Sequence, residues 1–291
     1  PDELVFARSA AKLLQALPLV ESGAGVGLST EQLALACASH SAERRHIERV
    51  RRWLGELGLD EHALCCGPQP SRDERLAEDM IRKGEAVTSA FNWCSGKHSG
   101  YLTVARHLRA SLDYVDIDNP VQKAVREAFE DMTREDSPGF GFDGCSAPNV
   151  VSSLRGMAAA LARVAAADER SDVRGRAAAT LRNAMLAHPE MVAGNGRLDT
   201  ELVAVAKEPV VLKSGADGFY VAILPKQKLG VALKVAGGAD PGAMVAITAL
   251  MVRLGVLDGA NPVVQRFMTP KITNWAGLEV GGLRPAAGLA G

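Results

Sequence analysis

Three short stretches of the chain hold residue types that could do chemistry together. The first is Ser9-Ala-Ala-Lys12. Side chains three apart on a helix share a face, so the Ser9 hydroxyl and the Lys12 amine can meet. A serine in a first helical turn feels the positive end of the dipole, which favours a developing alkoxide. A lysine in an apolar site can lose its charge and act as a base, because burial lowers its pKa. The same residues also suit a plain helix start with a surface lysine. The second stretch is Lys213-Ser214-Gly215. The third is Cys94-Ser95-Gly96-Lys97-His98, with Asp143-Gly144-Cys145 about fifty residues on.

Two cysteines and a histidine could ligate zinc as thiolates and imidazole. The spacing is not that of a zinc finger, since C-x-x-C and H-x-x-x-H are both absent. A lysine ligand must be neutral to bind. Free cysteine is also among the most buried residue types, and that plainer reading suits Cys94 and Cys145 as well as Cys37.

The elements that must position these residues follow from apolar spacing and turn residues. Ser9 to Leu17 has helical spacing, and Pro18 is placed to end it. Ser29, with Gln32 three residues on, makes a capped start for a helix carrying Leu33, Leu35 and Cys37. Glu43 to Leu57 is a charged helix with Ile47, Val50, Trp53 and Leu54 facing inward. Pro68, Pro70 and Asp73 mark a loop. Residues 91 to 110 begin as a loop and become a helix after Gly96. Asn119 and Pro120 open the next helix. Residues 136 to 149 have the glycines and prolines of a tight, irregular segment. Val150 to Ala167 and Asp172 to Leu186 read as helices, the latter stopped by His188-Pro189.

The pattern then changes. Residues 209–215, 218–224 and 229–235 are β-rich runs with short turns between them, an antiparallel meander that puts Lys213 on its first strand. Asp240-Pro241 opens a long helix to Leu254, and residues 272–283 add a final strand. The expected fold class is α+β: one catalytic domain with a mainly helical lobe, 9–190, beside a lobe of antiparallel sheet with a covering helix, 209–291.

The totals restrict the function classes. The chain has 291 residues, enough for one sizeable core. A formal net charge of −1 gives no electrostatic reason to favour nucleic acid or an anionic membrane. No apolar run is long enough to span a bilayer. Five scattered cysteines are not a disulfide framework and point to a reducing, cytoplasmic setting.

An S-x-x-K at a helix start with K-[ST]-G on a late strand is the pairing used by serine β-lactamases and penicillin-binding enzymes. The S-x-N element between them has no clear match; Ser39 and Ser41 are the candidates. With "CASHSAE" (37 to 43), "NWCSGKHSGYL" (92 to 102), "DGCSAP" (143 to 148) and "HPEMVAG" (188 to 194), these motifs make the chain resemble the bacterial asparaginase II family, typified by the inducible rhizobial enzyme. The likeness continues through "NWAGLEVG" (274 to 281).

That resemblance implies a fold like the serine β-lactamases and glutaminases, and hydrolysis of L-asparagine to L-aspartate and ammonia. It implies Ser9 as nucleophile and Lys12 as its base, with Ser39 and Lys213 a second Ser–Lys pair. Cys94, Lys97 and Cys145 would hold zinc that orients substrate, with Asp143 nearby. It further implies a homodimer and an additional N-terminal segment. Trp93 stands where the family commonly has a small polar residue, and Asp199 where some members have cysteine. Asparagine's α-groups need fixed partners, for which Arg8 and Asp143 are the candidates. An oxyanion hole is expected from backbone N–H groups, that of Ser9 included. The competing readings are a glutaminase or β-lactamase-like serine hydrolase, and a non-catalytic zinc-binding relative.

Overall fold

The strand Phe219–Leu224 organises the molecule, and all six of its side chains are buried. Side chains alternate across a strand. Phe219, Val221 and Ile223 therefore enter the large helical core, while Tyr220, Ala222 and Leu224 enter a second core. The helix Asp240–Arg253 covers that second face with Ala243, Ile247 and Met251, a stripe four residues apart. Burial on both faces explains why the strand is a continuous apolar run.

The computed structural model describes residues 1–289. Phe219–Leu224 is the middle strand of an antiparallel meander, with Val211–Ser214 on one side and Leu229–Lys234 on the other. A second antiparallel sheet places Pro148–Ser153 between Leu4–Phe6 and Phe140–Phe142. A separate hairpin joins Lys271–Thr273 to Glu279–Gly282. About half of the chain is helical, so the α+β expectation holds. No helix among the described residues is long and apolar enough to cross a membrane.

Local chemistry accounts for most of the helix limits. Ser29 and Gln32 form a reciprocal capping box at the start of Thr30–Ala36. In Arg44–Glu56 the buried residues are His46, Ile47, Val50, Trp53 and Leu54, a single face. Asn119 caps Pro120–Thr133 by accepting from the Val121 N–H.

Three expectations are corrected. Pro18 does not end a helix; it sits in the first turn of Leu17–Glu21, where its missing N–H breaks no helical bond. Val150 to Ser153 is not helical. Its β-branched residues pair with both neighbouring strands, and the helix begins only at Leu154, capped by Ser153. The final strand is a two-stranded hairpin around Asn274 and Gly277. The irregular segment 136 to 149 also holds the short strand Phe140–Phe142, and Asp73 starts the helix Glu74–Lys83.

Candidate active site

Ser9 is presented on a constrained turn. The chain leaves Leu4–Phe6 and reaches Arg8 at φ +51°, a left-handed conformation disfavoured for a residue with a side chain. It then winds through a 3-10 turn, Arg8–Ala11, into the helix Lys12–Gln15. Two ion pairs hold Arg8 in place, to Asp143 and to Asp217. Asp143 also accepts from Asn149 Nδ2 at 2.9 Å, so one end of the turn is tied to the second sheet. The first N–H groups of a helical turn have no acceptor within it, which leaves the Ser9 N–H able to serve an outside oxygen.

Gly215 fixes the distance from this turn to the meander. A Cβ there would stand 2.6 Å from the Ala7 carbonyl oxygen and 3.3 Å from the Ala10 Cβ. Glycine after Lys213-Ser214 thus lets the strand end lie against the turn that carries Ser9. Gly96 does the same for the cysteine segment, since a Cβ there would collide with the Leu35 carbonyl oxygen.

Ser39 lies between two buried lysines. Lys12 donates to its Oγ at 2.9 Å, and Lys213 donates to the same atom at 2.8 Å. Lys12 also donates to the Ala38 carbonyl and lies 3.2 Å from Cys94 Sγ. Lys213 also donates to the Ser214 carbonyl at 2.8 Å. Ser41 is elsewhere: its backbone carbonyl accepts from the Arg72 N–H at 2.9 Å. Among the described residues Ser9 Oγ has no hydrogen bond, to Lys12 or to any other group; it lines the cavity instead. Burial, reinforced by the charge of Lys12, brings the Lys213 ammonium down from 10.5 to about 7, although the Asp199 carboxylate pulls the other way. Asp199 is buried and accepts from Ser214 Oγ at 2.9 Å and from the Tyr220 hydroxyl.

Cys94 and Cys145 adjoin. The Cys94 thiol donates to Cys145, and this bond, with the charges of Lys97 and Lys12, holds the Cys145 thiol down at about 4 despite burial. Cys94, facing that thiolate and buried, is pushed up to about 12. Lys97 Nζ lies 3.2 Å from Cys145 Sγ. Burial is the largest single influence on Lys97 and would lower its pKa, but the charges of Cys145, Tyr101, Cys94 and Asp143 together exceed it and raise the value.

No group of three or more His, Cys, Asp or Glu side chains among the described residues could hold a metal. A metal here would therefore need a lysine ligand. Two sulfurs and the Lys97 amine supply one, and Cys94 and Cys145 both border the cavity, where a fourth position would open. Two thiolates suit zinc, and the Lys97 amine completes the set with an open position once the metal has displaced its proton. The histidines of the motifs do other work. His98 Nδ1 pairs with the Tyr114 hydroxyl at 2.8 Å, and His40 Nε2 with Ser95 Oγ at 3.0 Å. Burial holds both well below the ordinary histidine pKa.

Ser9, Ser39, Cys94, Asp143 and Cys145 border one cavity of about 290 Å³. Arg8 borders it too, with its charge committed to two carboxylates. A family model described as L-asparaginase II matches residues 1–285. The chain belongs to the L-asparaginase II family. Membership implies asparaginase activity. No curated protein matches the chain closely enough to add to this.

The cavity of this L-asparaginase II relative also contains residues that motif reading passed over. Arg72, Arg197 and Asp240 line it, and the Arg72 guanidinium lies 3.4 Å over the Trp93 ring. They come from a proline-rich loop, a glycine-rich turn and a helix start. Nothing in their spacing links them.

Proposed function

We propose that this chain hydrolyses L-asparagine to L-aspartate and ammonia through an acyl-enzyme on Ser9, on a scaffold arranged like the serine β-lactamases and glutaminases. One observation supports the mechanism above the others. Ser39 Oγ bridges Lys12 and Lys213 in the wall of the cavity that Ser9 enters.

The bridge offers a route for a proton. Lys213, near 7, is neutral in a large fraction of molecules at neutral pH. A neutral Lys213 accepts a proton from Ser39 Oγ as Ser39 takes one from Lys12. Lys12 is then free to remove the Ser9 proton. Ser9 Oγ attacks the carboxamide carbon of asparagine, and the negative oxygen faces backbone N–H groups, that of Ser9 among them. The tetrahedral species collapses with the C–N bond breaking, and the proton held by Lys12 leaves with the nitrogen as ammonia. Water then attacks the aspartyl ester, giving up its proton along the same route, and L-aspartate leaves. Cys94, Lys97 and Cys145 would hold zinc, whose positive charge would orient the substrate when bound. Arg8 and Asp143, paired with each other, form the wall between Ser9 and the cysteines rather than two free partners for substrate. Self-association as a homodimer belongs to this proposal, and analytical ultracentrifugation tests it.

Ser9→Ala is the decisive variant. Ammonia release from asparagine should fall by on the order of 10³-fold or more, with the thermal melt unchanged. Turnover at the wild-type rate in a folded Ser9→Ala protein would remove Ser9 from the mechanism. A parallel panel with glutamine and a chromogenic cephalosporin checks the substrate.

A further inference from the structure

Two arginines in the cavity have no bonded carboxylate among the described residues, although the charges of Asp199 and Asp240 act on Arg72 from a distance. Arg72 and Arg197 form no salt bridge among the described residues, and Arg72 Nη1 and Arg197 Nε are buried with no hydrogen-bond partner. A buried, unpaired guanidinium nitrogen is costly and calls for a partner, and inside a cavity a bound anion would supply one. The Arg72 side chain and the Arg197 backbone are also held in place. The ring of Trp93 supports Arg72 from below, and Trp93 Nε1 is tied to the Pro70 carbonyl at 2.9 Å. Arg72 N–H donates to the Ser41 carbonyl at 2.9 Å, two residues from Ser39. Arg197 precedes the helix Leu198–Ala204, and its carbonyl accepts from the Thr200 and Glu201 N–H groups. The two lie close enough for the charge of Arg197 to act on Arg72.

Charge around the cavity divides unevenly. Arg8 and Asp143 neutralise one another. The Cys145 thiolate is matched by Lys97 at 3.2 Å, so what remains on the lining is Arg72 and Arg197 against one carboxylate, Asp240, one oxygen of which accepts from the Gly218 N–H at 3.3 Å. An amino-acid zwitterion complements that set, its carboxylate meeting two cations and its ammonium one anion.

We infer that Arg72 and Arg197 form the subsite for the substrate's α-carboxylate, with Asp240 facing the α-ammonium. Calling the anion an amino-acid α-carboxylate rests on the asparaginase reading; the vacant guanidinium nitrogens do not. On this reading the reacting carboxamide lies beside Ser9 and the α-groups lie against Arg72, Arg197 and Asp240, all of which line the one cavity. A planar, forked guanidinium suits a carboxylate better than an ammonium point charge does.

The test compares L-asparagine with 3-aminopropanamide, which keeps the amine and the carboxamide and has hydrogen in place of the α-carboxylate. Wild type should prefer asparagine. Arg72→Gln and Arg197→Gln should each cut that preference, measured as the ratio of kcat/KM values, by about tenfold to a hundredfold, the loss of one charge-assisted contact. The loss should appear mainly in KM, and Arg72→Lys and Arg197→Lys should recover part of it. Calorimetric titration with L-aspartate should show the same ranking. An equal fall for both amides would make the arginines merely structural, and an unchanged preference with normal asparagine turnover would remove the subsite while leaving the asparaginase reading intact. Weakened aspartate binding in the variants of a chain that releases no ammonia from asparagine would do the reverse. Neither turnover nor aspartate binding in wild type would overturn both. Should the glutamine variants not fold, phenylglyoxal modification of wild type replaces them: aspartate should protect Arg72 and Arg197 from labelling, and no protection would overturn the subsite.

Discussion

Lys213 should set the acid limb of the pH–rate profile. Burial, then the charge of Lys12, brings its ammonium from 10.5 to about 7 against the pull of Asp199. In the proposed cycle only the neutral amine can draw a proton through Ser39. Between about pH 6 and pH 8 the neutral fraction rises from roughly a tenth to roughly nine-tenths, so kcat/KM for asparagine should rise close to tenfold. Asp199→Asn removes the carboxylate that pulls the pKa upward, so the limb should move to lower pH. Initial rates of ammonia release at constant ionic strength, across about pH 5.5 to 9, read both effects. A flat wild-type profile over that range would refute the reasoning, as would an Asp199→Asn limb that stays in place or moves upward.

The same displacement has a consequence for stability, and its sign is fixed. An unfolded lysine titrates at 10.5 and the folded Lys213 at about 7. Between those values the unfolded chain holds more protons, so stability rises with pH across that window. Below it the penalty for charging the buried amine is fully present, about 5 kcal/mol at about 1.4 kcal/mol per pH unit. Lys213→Met should therefore raise the Tm at pH 6 while abolishing turnover. A lower Tm at pH 6 would show that the Lys213 hydrogen bonds outweigh its desolvation.

Two further outcomes follow from close contacts. Gly215→Ala forces a Cβ toward the Ala7 carbonyl oxygen at 2.6 Å, so the Ser9 turn must shift; kcat should fall at least about tenfold, since small misplacements of reacting groups are costly, and a variant with wild-type kcat would show that the turn has slack. Purified wild type should carry stoichiometric zinc by elemental analysis and Cys145→Ser should carry little, because thiolate is the ligand that zinc prefers here; equal zinc in both would exclude Cys145 as a ligand.

Much of the site was legible because its chemistry is concentrated in short motifs. Ser9, Ser39, Cys94, Cys145 and the three lysines converge from segments that already read as a helix start, a loop after a helix and a strand. What spacing could not supply was partnership. Ser9 and Lys12 share a helical face, yet Lys12 turns to Ser39 and Ala38, because those acceptors lie in the buried side of the turn while Ser9 faces the cavity. Arg8 looked like a free cation, and it is held by two carboxylates far away in sequence. Val150 to Ser153 looked continuous with an alanine-rich helix, and only the pairing strands, one of them at the start of the chain, make it extended. Long-range pairing overrides local spacing in each case.

Three buried lysines within one site are an unusual arrangement, and their neighbours explain why they differ. Lys97 and Lys213 are equally inaccessible, and burial pushes both pKa values down. Lys97 lies 3.2 Å from the Cys145 sulfur, and that charge with those of Tyr101, Cys94 and Asp143 overcomes burial and raises it. Lys213 touches only a hydroxyl and a carbonyl, both neutral, and Lys12 adds repulsion, so burial prevails. Without a metal, the same residue type is thus held as a cation at one position and poised to change charge at the other, and zinc binding at Cys94, Lys97 and Cys145 would have to displace the Lys97 proton. Exchanging the neighbours should exchange the behaviour. Ser39→Asp would place a carboxylate against Lys213 and raise its pKa; it also removes the relay hydroxyl, so activity should fall at every pH, while the acid limb of the residual activity moves toward alkaline pH. A Ser39→Asp variant whose limb stayed near pH 7 would mean that Lys213 is not the group the profile reports.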